Sequence, residues 1–327
     1  MIQSLNFPLS AASVRAYGSW EALGAEIRAL GLDGLELIAD PYDPAPEFPA
    51  ALAAGYHLTF FPDWLDFFRG DEAAILRKFG SWEMAERIYG GRKPEDLLRL
   101  FREDLARGIA FGVPYMVFHV SDVSMEENYT YRWLHTDREV IDGAVELLNE
   151  LLRDVAPDFM LLLENQWWPG FTFTDPEQTE DLLSRIAFPR TGIMLDTGHL
   201  MNCNPAIRSQ GDGVAWILDM VKRHGTLARS IHGVHFHQSV SGRYVRAHTG
   251  RLPADWSGDY FRDIAVCYPH IQRIDRHRPW TDPACVKILD AVGPSFLTHE
   301  LAAGSDRSRL AALRRQLKTI QRGSQSG

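Results

Sequence analysis

The chain has 327 residues, 45% of them hydrophobic, with a formal net charge of −9 and a pI near 5.7. That balance suits a globular protein with a large core and weighs against a polyanion such as nucleic acid as its main partner. Three scattered cysteines, Cys203, Cys267 and Cys285, exclude a disulfide framework, and no apolar run is long enough to span a bilayer. Residues Met1 to Ser10 lack a basic run followed by an apolar stretch, so a cytoplasmic location is expected.

In chain order, the first strand is predicted at Ile2–Asn6. Ser19 caps a helix over Trp20–Leu30, which Gly31 ends. Strands follow at Gly34–Ile38 and Tyr56–Phe61, then a long connection, Pro62–Lys93. Pro94 opens a helix over Glu95–Phe111, with Glu95 and Asp96 suited to the positive end of its dipole. The fourth strand is Tyr115–His119, and Thr136 with Glu139 forms a capping box before a helix over Val140–Val155. The fifth strand is Phe159–Glu164, and Asp175-Pro176 starts the next helix. Strands at Gly192–Asp196 and Ile231–Phe236 precede a second long connection, Gln238–Asp290. The last strand is Ser295–Glu300, followed by an amphipathic helix over Asp306–Gln321 and a disordered tail at Gly323–Gly327.

Eight strands with helical crossovers predict an α/β fold, a single (β/α)8 TIM barrel over residues 1–322 with long βα loops after strands three and seven. No glycine-rich phosphate fingerprint follows the first strand, which removes the main motif of a dinucleotide fold. Within the barrel, six strands end in a carboxylate or an imidazole. An apolar strand has little reason to do so repeatedly unless the side chains meet, and in a closed barrel they meet at the carboxyl-end rim. Glu164, Asp196, His235 and Glu300 converging there would repel or stay uncompensated without a cation, so a divalent metal is expected.

These motifs resemble the xylose-isomerase-like TIM-barrel superfamily, which contains sugar isomerases and epimerases, inosose dehydratases and endonuclease IV. The resemblance implies a central metal held by Glu164, Asp196, His235 and Glu300, with Asp196-Thr197-Gly198-His199 as the Asp-x-x-His element. In the segment Val234-His235-Phe236-His237 the ligand place falls to His235, with His237 the alternative and otherwise a substrate contact. The endonuclease-like branch adds ligands: His57 and His119 would join Glu164 on a second metal, and His199 would join Asp275 and His277 on a third. The ion count is thus one to three, with manganese or zinc preferred over magnesium or cobalt.

Aromatic residues crowd the same strand ends: Phe60, Phe61, Trp64, Phe67 and Phe68 after strand three, Trp167 and Trp168 after strand five. Trp64 and Trp167 are candidates to stack on a sugar ring, and Asn165 and Gln166 to hydrogen-bond its hydroxyls. The leading expectation is a metal-dependent isomerase or epimerase of a small sugar or polyhydroxy carbonyl compound. By the resemblance to epimerases, Glu164 and Glu300 would exchange protons through an enediolate while His199 orients an oxygen. A multinuclear phosphoesterase like endonuclease IV is the alternative, and a non-catalytic sugar- or partner-binding barrel the third. The excursion Gln238–Asp290 is where contacts of a homo-oligomer are expected.

Overall fold

A computed structural model describes residues 1–40, 47–302 and 306–325. Eight parallel strands close into a barrel in chain order: β1 Ile2–Leu9, β2 Gly34–Ala39, β3 Ala53–His57, β4 Tyr115–His119, β5 Met160–Glu164, β6 Thr191–Asp196, β7 Ile231–His235 and β8 Phe296–His299. β1 pairs β8 from Ile2↔Phe296 to Leu5↔His299, which closes the ring. The expected helix signals operate: Ser19 caps Trp20–Ala29, and the Thr136/Glu139 capping box opens a helix at Asp137–Leu151. Pro94 and Asp175-Pro176 start the helices Pro94–Phe111 and Pro176–Arg185.

Some element boundaries shift: β1, for one, runs on to Leu9. The third strand ends at His57 rather than Phe61, because the backbone N–H of Thr59 donates to the Asp104 carboxylate (2.6 Å) instead of a neighbouring strand. The two long connections are largely helical: Leu65–Arg69, Glu72–Phe79 and Trp82–Tyr89 in the first, Gly242–His248, Tyr260–Ile274 and Val286–Val292 in the second. The last helix, Asp306–Ser324, takes up Gly323 and Ser324 of the expected tail, whereas 326–327 lie outside the described residues.

Strand alternation explains how one sequence builds both core and rim. The barrel interior is filled by Tyr115, Val117, Leu162, Met194 and Phe296, a cluster separate from the larger core between strands and helices. Side chains two residues apart on a strand share a face. His119 therefore follows Val117 inward, Glu164 follows Leu162, Asp196 follows Met194, and His235 follows Gly233. The rim chemistry is the top layer of the same inward-facing rows.

The connection after β3 is anchored by a buried charge cluster that the sequence reading missed. Lys78 Nζ lies 3.0 Å from Asp63, 2.8 Å from Asp66 and 3.5 Å from Asp122, and His135 Nε2 lies 3.0 Å from Asp66. Burial opposes the ammonium charge, but the three aspartates hold its pKa well above the ordinary lysine value. Lys78→Met is expected to leave these buried carboxylates uncompensated and to cost about 3–5 kcal/mol. A lowered urea midpoint at unchanged m-value would report it; a midpoint equal to the parent's would show that the cluster adds no net stability.

Candidate metal centre

Glu164 sits at the middle of the rim, fully buried at the end of β5. Its Oε2 is 3.0 Å from His57 Nε2 on β3 and 3.0 Å from His119 Nε2 on β4. Its Oε1 is 3.1 Å from His199 Nδ1 and 3.2 Å from His235 Nδ1 on β7. Both carboxylate oxygens are therefore turned to imidazoles, two on each side.

The other residues complete three overlapping groups: His57, His119 and Glu164; Glu164, Asp196, His235 and Glu300; and Asp196, His199, His237 and His277. Within each group the ligand atoms lie within 4.8 Å of one another. Asp275 joins the last side, 3.2 Å from His199 Nε2 and 2.7 Å from His277 Nε2. It directly follows the helix Tyr260–Ile274, and that placement brings the distant Asp275-Arg276-His277 segment back to the rim.

Local structure places each ligand for its own reason. Asp196 caps the helix Thr197–Asn202, its Oδ1 accepting from the His199 backbone N–H at 2.6 Å, so that one turn later His199 faces the same side. Residue 198 must be glycine: a Cβ there would lie 2.0 Å from His237 Cε1. His57 Nδ1 donates to the Leu58 carbonyl (2.8 Å), which leaves Nε2 as the ligand nitrogen.

His235 is oriented from below by a residue that the sequence reading did not single out. Glu36, buried on β2, pairs with His235 Nε2 at 2.9 Å and leaves Nδ1 facing Glu164 and Glu300. The second oxygen of Glu36 accepts from Tyr115 Oη (2.7 Å) and Thr298 Oγ1 (2.8 Å). Tyr115 has room to reach it only because residue 55 is glycine: a Cβ there would stand 2.2 Å from the tyrosine ring. The signal was available: Glu36 is a lone carboxylate between apolar neighbours in a buried strand.

The structure redistributes four of the expected substrate contacts. Trp64 is a core residue, its ring buried and its Nε1 donating to the Ser121 carbonyl at 2.8 Å. Both ends of the Asn165 amide are committed to the Asp196 backbone, donating to its carbonyl at 3.1 Å and accepting from its N–H at 2.8 Å. His237 is buried with Nε2 2.8 Å from Asp196 Oδ2, grouped with Asp196, His199 and His277. Gln166 lies against His199 Nδ1 at 2.9 Å. Trp167 does stand at the mouth, 5.1 Å from the His199 ring and 4.1 Å from Trp168, which stacks in turn on Phe60 at 5.8 Å. Phe61 and Phe67 instead pack on Tyr89, away from the rim.

The donor set fits divalent cations. Glu164 Oε1, His235 Nδ1 and Glu300 Oε2 are buried and have no hydrogen-bond partner among the described residues. Leaving such atoms unpaired is costly, and mixed carboxylate and imidazole donors suit zinc or manganese. The electrostatics agree. Burial would raise the Glu164 pKa, but His119 and His235 hold it well below the carboxylate range. Burial would lower His199, but Asp196 and Asp275 hold it well above the usual imidazole value, and Glu36, Glu300 and Glu164 do the same for His235. His277, against the same burial, is pushed up to about 9 by Asp275. His119 goes the other way, burial pulling it down to about 4.

A pH dependence follows from these directions. Without cations the neighbouring carboxylates favour the protonated forms of His199, His235 and His277, and cation binding requires them neutral. Zinc added to chelator-treated protein is expected to release protons into weakly buffered solution. Because raised pKa values mean protons compete up to about 9, the value for His277, apparent affinity should climb as pH rises toward it. An affinity independent of pH between about 6 and 8 would contradict this.

The chain is thus a closed parallel TIM barrel whose carboxyl-end rim gathers three interlocking His, Asp and Glu groups that could hold divalent cations. The chain belongs to the xylose isomerase-like TIM barrel family, whose model matches residues 24–321. No curated relative matches it in sequence. Among solved structures, an endonuclease IV from Thermus thermophilus superposes with a TM-score of 0.56 at 16% identity, over 98% of this chain and 100% of that one. An L-ribulose 3-epimerase superposes with a TM-score of 0.55 at 14% identity, over 100% of this chain and 95% of that one. At such identities the likeness is one of fold. Among the described residues, no helix is long and apolar enough to cross a membrane.

Proposed function

We propose that this protein is a divalent-cation-dependent phosphoester hydrolase with a multinuclear centre, acting on a small substrate. The observation that carries the reading is the double commitment of Glu164, with two imidazoles on each of its oxygens. A two-base epimerase needs one Glu164 oxygen left to remove or return a proton; cations on both sides of this carboxylate would take up both. A carboxylate shared in this way suits a bridge between two cations. His199, Asp275 and His277 add a third position, the pattern implied by resemblance to the endonuclease IV-like branch.

In this reading His57, His119 and Glu164 would hold one cation, Glu164, Asp196, His235 and Glu300 a second, and Asp196, His199, His237 and His277, with Asp275 beside them, a third. Cations held there would supply Lewis acidity toward a phosphoryl group and toward water. Burial raises the Glu300 carboxyl pKa, and Glu300 would give one oxygen to the cation and take the proton of the attacking water with the other. Trp167, Trp168 and Phe60 exclude bulk water from one side of the mouth. The acidic chain and this aromatic cover favour a small ester over a nucleic-acid duplex.

Isomerisation is a second reading, favoured by Glu300, a single carboxylate beside the central position that could act as one base. The two separate experimentally. Chelated protein reloaded with zinc or manganese is expected to hydrolyse bis(p-nitrophenyl) phosphate, and to leave the α-protons of ketoses unexchanged in deuterium oxide. Metal-dependent exchange without hydrolysis would replace the hydrolase by the isomerase.

A further inference from the structure

The excursion after β7 differs from the rest of the chain in charge. Residues 242–278 hold seven arginines and four aspartates with no lysine or glutamate, a net of three positive charges in a protein of net charge −9. Part of this positive charge lines a cavity of about 380 Å³, formed where the helices Gly242–His248 and Tyr260–Ile274 meet Tyr129. Arg251, Arg273 and His248 stand exposed at its rim, and no carboxylate lines it among the described residues.

Its floor is preorganised. The His270 ring is buried between two partners, Nε2 donating to the Asn128 carbonyl at 3.0 Å and Nδ1 accepting from Tyr244 Oη at 2.9 Å. Tyr129 stacks on His270 at 4.0 Å, and His248 on Tyr244 at 4.1 Å. With both its nitrogens bonded this way, His270 is locked neutral, so the positive charge belongs to the rim. The remaining walls, including Leu252, Pro253 and Val266, are apolar. An apolar body below and two guanidinium groups above are complementary to a ligand that is flat or apolar at one end and multiply anionic at the other.

We propose that this cavity is an accessory binding site for a nucleoside phosphate, its phosphate held by Arg251 and Arg273 and its carbon skeleton on the apolar wall. The size agrees: ligand pockets begin at about 300 Å³. The site is distinct from the metal centre but mechanically joined to it. Arg273 and His270 occupy the end of the helix that hands over directly to Asp275, beside His199 and His277. Tyr244 belongs to the apolar cluster that contains Trp167 and Trp168 of the mouth. A bound phosphate is therefore positioned to steady Asp275 and the aromatic cover together.

The test is calorimetric titration of the metal-loaded protein with AMP, with inorganic phosphate, and with a short single-stranded oligonucleotide bearing a 5′-phosphate. AMP is expected to bind more tightly than phosphate, because only AMP uses the apolar wall. Arg251→Ala and Arg273→Ala should each weaken AMP by about tenfold, at unchanged thermal stability since both side chains are exposed. An oligonucleotide tighter than AMP would assign the pocket to a strand end, and the reverse order to a free nucleotide. No binding of either, or AMP binding that survives the double variant, would overturn the proposal, the surviving signal then belonging to the metal centre. The readout needs no turnover, so its failure leaves the hydrolase reading intact.

Discussion

Glu164→Gln is expected to be the most damaging single substitution in the molecule. The amide keeps the shape of the side chain and removes the charge that four imidazoles share at 3.0–3.2 Å. Two of the three ligand groups include Glu164, so both should weaken at once, while the group formed by His199, Asp275 and His277 loses only a neighbour. Cation content by elemental analysis should fall by at least one ion per chain, and hydrolysis of an activated phosphodiester by about 10³-fold or more. The effect should exceed that of Asp275→Asn, which touches one group alone. Parental cation content together with a parental rate would remove Glu164 from the centre, and with it the hydrolase reading.

Glu36→Gln should produce the second largest effect although Glu36 is not itself one of the grouped ligands. The carboxylate pairs with His235 and accepts two hydrogen bonds, from Tyr115 and Thr298. An amide can accept at one end only. With its oxygen on His235, its NH2 group meets the hydroxyls of Tyr115 and Thr298, which can turn to accept; with the ends reversed, His235 Nε2 faces the NH2 group, donor against donor. His235 then loses both its orientation and the negative partner that makes it a stronger ligand. Outer-shell changes of this kind cost about 10–100-fold in metal affinity. The loss should be confined to the central ion, visible as one weakened step in competition against a chromophoric chelator. Uniform weakening of every step would point instead to a general loosening of the barrel. Thr298→Val separates the two causes, since it removes one donor to Glu36 and spares the charge.

The expected architecture followed from alternation along single strands. Val117 and His119, Leu162 and Glu164, Met194 and Asp196 are each two residues apart, so the residue type at one position reports the face of the other. Strand-end carboxylates and imidazoles were legible for the same reason. Glu36 escaped because it lies inside its strand and not at the end, and its role depends on β7 lying across the barrel from β2. Lys78 escaped because an isolated lysine in an amphipathic helix reads as solvated; only the folding of the β3 connection onto β4 buries it against Asp63, Asp66 and Asp122.

Trp64 and Asn165 show the converse. Their residue types suited sugar recognition, but the structure uses one to fill the core and the other to brace the Asp196 backbone. Periodicity and the cost of burying charge were enough to define the eight-stranded barrel, its rim and the donor types gathered there, because both are written along the chain. How those donors are shared was settled in three dimensions. That Glu164 faces two imidazoles on each side, and that Asp275 returns from a distant helix to His199, are facts of through-space distance. Strand pairing and helix packing set such distances, and no local pattern in a chain encodes them.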